Sequence, residues 1–314
     1  MPTLLDYRRR IRSVKSTQQI TRAMKFVAAA KLRRAQEGVF AARPYAKEIK
    51  RVLRSAAARM EKPAHPLLER RPEERILAVV LTGDRSLAGA FNTNVLRRAM
   101  EFFREHASQE VQVMVVGKKG RDTLRKRGWQ FAAEYLGVSN AVEFLKAREI
   151  AAKMAEMYAN DEVDAVYAIH NEFKNVMVQR LCVEKLLPID PAVLKAGPTE
   201  KGERSDILHD ATAQSLPTKP SSDGTATLVD YIYVQPVEQL FAGLVPRYLE
   251  SEVFRILLES AAAEHAARMT AMDSATRNAR ELIDKLTLQM NKIRQAGITK
   301  ELIEIVSGAS SATS

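Results

Sequence analysis

The chain has 314 residues, of which 46% are hydrophobic, 28% are charged and 6% are aromatic. This length allows about two domains, and the apolar share is that of a folded protein, which excludes extensive disorder. A single cysteine, Cys182, excludes an internal disulfide framework and a cysteine-based zinc site. No apolar run is long enough to span a bilayer.

The net charge of +11 is concentrated at the N-terminus. Residues 1–60 carry 16 Lys and Arg against 3 Asp and Glu, whereas the rest of the chain carries 33 against 35. Such a segment is expected to meet nucleic acid, a membrane surface or an acidic protein. The first ten residues lack the apolar core of a secretory signal. Their arginines resemble those of a transit peptide, but a helical pattern that runs through them disfavours that interpretation.

A heptad pattern predicts one long helix over residues 1–60. Steps that average 3.5 residues meet 17 positions, of which 14 are apolar. The three polar exceptions, Gln18, Thr21 and Lys25, are consecutive in the pattern. They indicate that this stretch has lost its helical partner or gained a different one. Pro44 is expected to kink the helix or divide it.

The C-terminal segment 237–308 shows the same pattern. It has no Gly or Pro from 247 to 296, and a walk from Leu244 to Gly297 meets 16 positions, of which 11 are apolar. Helices about 90 and 105 Å long cannot each bury a stripe in a small domain. Because a compact domain separates them in the chain, we expect them to wrap around each other as an antiparallel coiled coil.

Residues 72–190 predict a central Rossmann-like α/β domain between these helices. Short apolar runs predict strands at 76–81, 111–116, 163–169 and 176–183. Amphipathic stretches predict helices near 93–106, 118–127 and 141–159. This alternation is typical of a parallel sheet. Pro, Gly and polar residues predict a surface loop at 191–228, and a last strand is expected at 229–236.

No motif for nucleotide or metal chemistry is complete. LTGDRSLAGAFN (81–92) and GKKG (117–120) each follow a predicted strand, but neither has GxGxxG spacing or the P-loop signature. The five histidines show no HxxxH or HExxH spacing, and Cys182 lies in a strand pattern typical of a buried structural cysteine. We therefore predict no catalytic residue, no cofactor and no metal.

Two other functional classes remain open from the residues alone. The basic helix is compatible with a coiled-coil nucleic-acid-binding protein, although few aromatic side chains interleave its cations. The α/β domain is compatible with a dinucleotide-dependent enzyme, although the glycine fingerprint is missing.

Several segments resemble the gamma subunit of F-type ATP synthases. STQQITRAMKFVAAAKLRRAQ (16–36) and RPY (43–45) are similar to that family's N-terminal helix, and LTGDRSLAGAFN is similar to its first strand and turn. ARMTAMDSATRNARELIDKLTLQMNKIRQAGITKELIEIVSGA (267–309) is similar to its C-terminal helix. The resemblance covers nearly the whole chain.

This resemblance implies a non-catalytic rotary shaft that couples ion-driven rotation to ATP synthesis and regulates ATPase activity and ion flow. Its coiled coil would enter the hexamer of alpha and beta subunits. Its α/β domain would bind the epsilon subunit and the ring of c subunits. No nucleic acid and no insertion into the membrane are implied, and the location would be the cytoplasmic face of the bacterial inner membrane.

The resemblance also assigns contact residues by their positions in the matching segments. Along the shaft, contacts with the beta subunits are implied for Ser13, Met24, Lys25, Arg268, Arg294, Gln295 and Thr299. Lower contacts are implied for Arg10, Lys15 and Ala88. The side that faces the c ring and epsilon is implied for Tyr231 and Tyr233.

Overall fold

The computed structural model describes residues 3–60, 65–190 and 236–312. The chain divides into two compact units, one of residues 1–30 with 268–314 and the other of residues 31–267. No helix in the described ranges is long and apolar enough to cross a membrane.

Long terminal helices and a central α/β sheet make up the described part, which confirms the predicted fold class. The helices are α1 (Leu4–Ala58), α2 (Phe91–Glu105), α3 (Lys118–Arg125), α4 (Phe144–Ala159) and α5 (Val237–Ala312). Short 3-10 helices span Pro66–Leu68 and Val138–Asn140. The strands are β1 (Arg75–Leu81), β2 (Glu110–Val116), β3 (Phe131–Tyr135), β4 (Ala165–Phe173) and β5 (Gln179–Leu187). The predicted loop at 191–228 and all but the last residue of the predicted strand at 229–236 lie outside the described residues.

The heptad positions of both long helices form a shielded seam. None of the 17 positions in residues 1–60 and none of the 16 positions in α5 is exposed. In the first unit, Thr21 forms a hydrogen bond with Thr276, and Lys25 forms one with Asp273. Because the residue number rises in α1 while it falls in α5, the two helices run in opposite directions. The predicted antiparallel pairing is therefore confirmed in this unit.

The second unit shows the same pairing around its own segments of the two helices. Lys50 of α1 forms an ion pair with Glu252 of α5 at 2.9 Å. Gly38 lies so close to α5 that an added Cβ would come within 3.1 Å of Leu258. Pro44 lies inside α1 without dividing it, so that alternative of the sequence-based expectation is wrong.

The sheet is mixed, with strand order β3-β2-β1-β4-β5. Strands β1 to β4 are parallel, whereas β5 runs antiparallel to β4. The expectation of a wholly parallel sheet is wrong at β5, because the short connection from β4 cannot form a crossover and makes a hairpin. Asn175 fixes this hairpin, since its Oδ1 accepts the N–H groups of Met177 and Val178 at 2.9 and 2.7 Å.

Strand β1 supplies side chains to two hydrophobic cores. Leu77 and Val79 belong to the core that α4 and segments of α1 and α5 cover. Ile76 and Val80 alternate with them and belong to the core that α2 covers. A central parallel strand that is buried on both faces reads as a continuous apolar run, which is why this strand was predictable.

Two glycines with positive φ give a matched test of backbone strain in this unit. At Gly117 (φ 99°) a Cβ would collide with the carbonyl oxygen of Thr82, whereas at Gly128 (φ 86°) it would meet nothing within 4 Å. We expect Gly117→Ala to lower the free energy of unfolding by about 3 kcal/mol or more, and Gly128→Ala by about 1 kcal/mol. Urea unfolding of the purified variants measures both values. Equal losses would contradict the steric argument.

Candidate partner-binding surfaces

Polar residues in the seam of the first unit pair with each other. The hydroxyl groups of Thr21 and Thr276 lie 2.8 Å apart, and Lys25 Nζ lies 2.6 Å from Asp273 Oδ1. Asp273 has its pKa lowered by the hydrogen bond from Lys25. The interpretation that Thr21 and Lys25 have lost their helical partner is therefore wrong. Because the Lys25 side chain remains 39% exposed, it can still approach a second acidic group.

The outer face of α1 carries cations that form no ion pair within the described part of the chain. Between residues 4 and 30, the exposed members that form no ion pair with a described acidic residue are Arg8, Arg9, Arg10, Arg12, Lys15 and Arg22. Ser13 is exposed on the same stretch of helix. Two of the predicted contact residues, Arg10 and Lys15, thus belong to one basic surface, which we call the α1 basic face. Its charge is available to an acidic partner.

The C-terminal end of α5 exposes both polar and apolar side chains. Arg294, Gln295 and Thr299 are exposed, and the Thr299 hydroxyl donates to the carbonyl oxygen of Gln295 at 2.9 Å. Large apolar side chains that expose more than half of their area follow at Ile298, Leu302, Ile303 and Ile305. Such a concentration of exposed apolar area indicates a surface that another protein covers.

Two further predicted shaft contacts are not exposed. Arg268 is only 9% exposed, and Met24 is half-buried. A partner could therefore reach little of the Arg268 side chain. The positions of Tyr231 and Tyr233 lie outside the described residues.

The turn after β1 presents a residue that sequence analysis missed. The predicted contact Ala88 is 1% exposed and packs with Phe91 and Ala263. Its neighbour Leu87 is 58% exposed and has a φ of 66°. A bulky residue with positive φ that faces solvent is costly and uncommon. The signal was available in the sequence, since Leu87 interrupts a run of small residues.

An internal carboxylate fills the place where this fold type commonly binds a phosphate. Ligands of open α/β sheets sit beyond the carboxyl ends of the strands, often at a helix N-terminus. Here Asp84 Oδ1 accepts the N–H of Lys118, at the start of α3, and the N–H of Gly137, each at 3.0 Å. Its Oδ2 accepts the Ser139 hydroxyl at 3.0 Å. The GKKG segment is therefore the start of α3, held by Asp84.

The described residues contain no group of three or more His, Cys, Asp or Glu that could hold a metal ion.

Cys182 lies on β5 as predicted, but it is half-buried rather than buried. Burial and the nearby Glu172 carboxylate raise the pKa of its thiol. Its Sγ lies 3.7 Å from Glu172 Oε2. A raised thiol pKa disfavours the reactive thiolate.

The fold and these surfaces are those of an assembly subunit, in which paired long helices and an α/β sheet leave charged and apolar area for other proteins. A family model described as ATP synthase matches residues 3–312. The ATP synthase gamma chain of Solibacter usitatus is 48% identical over 316 residues, which cover 99% of this chain and 100% of the relative. That of Pelotomaculum thermopropionicum is 44% identical and covers 98% and 99%. The chain therefore belongs to the ATP synthase gamma chain family.

Solved structures show the same fold at lower identity. A chain of the Euglena gracilis mitochondrial ATP synthase, in rotational state 3, matches with a TM-score of 0.62 and 20% identity, covering 98% of this chain and 94% of that one. The central stalk and c-ring structure from Tetrahymena thermophila matches with 0.55 and 23%, covering 82% and 99%. The family membership confirms the prediction of a non-catalytic subunit, the central rotor stalk of F-type ATP synthase.

Because Asp84 occupies the place where a phosphate would bind, we predict that the isolated chain does not bind ATP. Asp84 already occupies the N–H groups that a phosphate would need, and its negative charge repels one. Calorimetric titration of the purified chain with ATP should give no heat beyond dilution. Micromolar binding would contradict the assignment of this crevice.

Proposed function

We propose that the chain is the rotary shaft that couples ion-driven rotation of a c-subunit ring to ATP synthesis on beta subunits, and so also regulates ATPase activity and ion flow. The observation that carries the proposal is the α1 basic face, whose cations form no ion pair with an acidic residue in the described chain. Family membership supports the same role.

The proposed partners follow from where the unpaired surfaces lie along the two long helices. The α1 basic face and the exposed end of α5 would contact the alpha and beta subunits of the hexamer. Within this surface, Ser13, Lys25, Arg294, Gln295 and Thr299 are the proposed beta contacts. Met24 and Arg268 would act from half-buried and buried positions.

In the second unit, the turn after β1 is the proposed lower contact. Because the Ala88 side chain is buried, Leu87 would make the contact there. The epsilon subunit and the c ring would bind elsewhere, with Tyr231 and Tyr233 on that side. The bacterial relatives support a peripheral location at the cytoplasmic face of the inner membrane.

A basic face without fixed partners suits a surface that moves past its neighbours. Exposed charges attract through a screened field that changes gradually with distance, and each exposed pair is worth at most about 1 kcal/mol. A buried, geometrically exact pair would hold one rotary position more strongly than the others. Attraction to an acidic protein surface around the shaft can therefore centre the shaft without fixing its rotational angle.

The direct test is rotation of the chain within the complex. Lys126→Cys places a cysteine at an exposed position, and Cys182→Ser removes the native one. A bead attached to this cysteine should turn in one direction while an immobilised complex hydrolyses ATP. A bead that shows only random angular motion while ATP is hydrolysed would contradict the proposed function.

Neutralising the α1 basic face should weaken association with the hexamer. We expect Arg10→Gln combined with Lys15→Gln to slow binding to isolated alpha–beta hexamer about tenfold at low salt. The difference should shrink as salt shortens the Debye length. The control is Arg33→Gln, since Arg33 is 84% exposed but pairs with Glu37 in its own helix. Equal association rates for both variants at every salt concentration would exclude the basic face as the docking surface.

A further inference from the structure

A cluster of charged side chains joins four elements of the second unit. Its members, which we call the Arg255 cluster, are Arg255, Glu252 and Glu259 on α5, Glu184 on β5, His170 on β4 and Lys50 on α1. None of its members is among the residues assigned above to contacts with other subunits.

The guanidinium of Arg255 binds three carboxylates at once. Its Nε donates to Glu252 at 2.9 Å, its Nη1 donates to Glu259 at 3.1 Å, and its Nη2 donates to Glu184 at 2.8 Å. Glu252 and Glu259 lie one turn before and one turn after Arg255 on α5, so they hold its side chain in one orientation. The bond to Glu184 is the one that leaves the helix and reaches the sheet.

Neighbouring groups hold Glu184 in turn. The ring of His170 is fully buried, and its Nε2 lies 3.3 Å from Glu184 Oε2, the same oxygen that Arg255 binds. Burial opposes the charge of Glu184, but His170 and Arg255 outweigh it and lower the pKa of the carboxyl to about 2. The carboxylate is therefore ionised and bound throughout the physiological pH range.

Directional bonds constrain a helix differently from apolar contacts. Apolar packing between α5 and the sheet, such as that of Val253 and Ile256 in the first core, is not directional and allows small rotations at little cost. A planar guanidinium with a bound carboxylate requires a defined angle and distance. Rotation of α5 about its own axis would pull Arg255 away from Glu184.

We propose that Arg255 is a positioning residue of the rotor, which fixes the rotation of α5 about its axis relative to the sheet by binding Glu184. The proposal rests on the proposed rotary function, because a load that twists the sheet against α5 arises only in a turning shaft. In that case the Arg255–Glu184 bond resists the twist where apolar packing alone would yield.

The test uses the assembled ATP synthase and the bead at position 126 described above. With the hexamer halted by a non-hydrolysable ATP analogue, the angular variance of the bead reports the torsional stiffness of the chain. Glu184→Gln keeps the shape of the side chain but removes its charge. We expect it to increase the angular variance about twofold, with the rate of ATP hydrolysis unchanged.

The matched control is Glu110→Gln, which removes the charge of an exposed glutamate at the start of β2, outside the cluster. It should leave the variance at the wild-type value. A Glu184→Gln variance equal to that of the control would overturn the proposal. A purely stabilising role of Glu184 predicts a lower unfolding temperature with an unchanged variance, and that result would also overturn it.

A second variant covers the case in which Glu184→Gln does not assemble. Arg255→Lys keeps the positive charge that Glu252 and Glu259 need, but a compact ammonium cannot bridge all three carboxylates in the same geometry. It should therefore assemble and show the same wider variance, and a wild-type variance would reject the proposal. If wild-type beads fail to rotate during hydrolysis, the proposed function fails instead, so the two failures are distinguishable.

Discussion

The seam between α1 and α5 is the constraint on which the other features of the chain depend. A helix of 55 residues and one of 76 residues each carry an apolar stripe, and neither can bury it alone. Pairing shields every heptad position of both helices from solvent, but it does not cover the helix faces that point away from the seam. In the second unit, α4 and the sheet cover α5 on further sides. At the end of α5 no such cover exists in the described chain, and Leu302 and Ile305 stay exposed.

Sequence periodicity predicted the elements whose burial follows a simple repeat. The two long helices, β1 and α2 lie close to their predicted positions, since each has one or two fully apolar faces. Strand β3 was missed because FAAEY is a short edge strand with little β-branched character. The direction of β5 was predicted wrongly, although the short gap between the predicted strands already excluded a crossover.

Polar residues in the seams were the least predictable part of the candidate sites. Their positions were visible in the heptad walk, but their partners lie more than 200 residues away in the chain, as Lys25 and Asp273 show. Arg255 likewise breaks the α5 pattern, and only the fold brings Glu184 to it. A polar residue in an apolar seam therefore indicates a specific bond, but the sequence does not say with which residue. The role of Asp84 as an internal hydrogen-bond acceptor needed the backbone conformation for the same reason.

Buried and surface charges of this chain act in opposite ways, and both suit a rotor. The buried charges are paired, and the surface cations of α1 are exposed. Within the second unit, Arg255 is saturated by three carboxylates, and its geometry admits one arrangement of α5 on the sheet. On the α1 basic face, the cations form no ion pair with a described acidic residue, so their attraction to an acidic surface has no preferred angle. A shaft must be stiff within itself and must slide against its surroundings. The short ion pairs of Arg255 make the shaft stiff, whereas the surface cations of α1 allow it to slide. The two kinds of cation differ in whether carboxylates of the described chain lie against them.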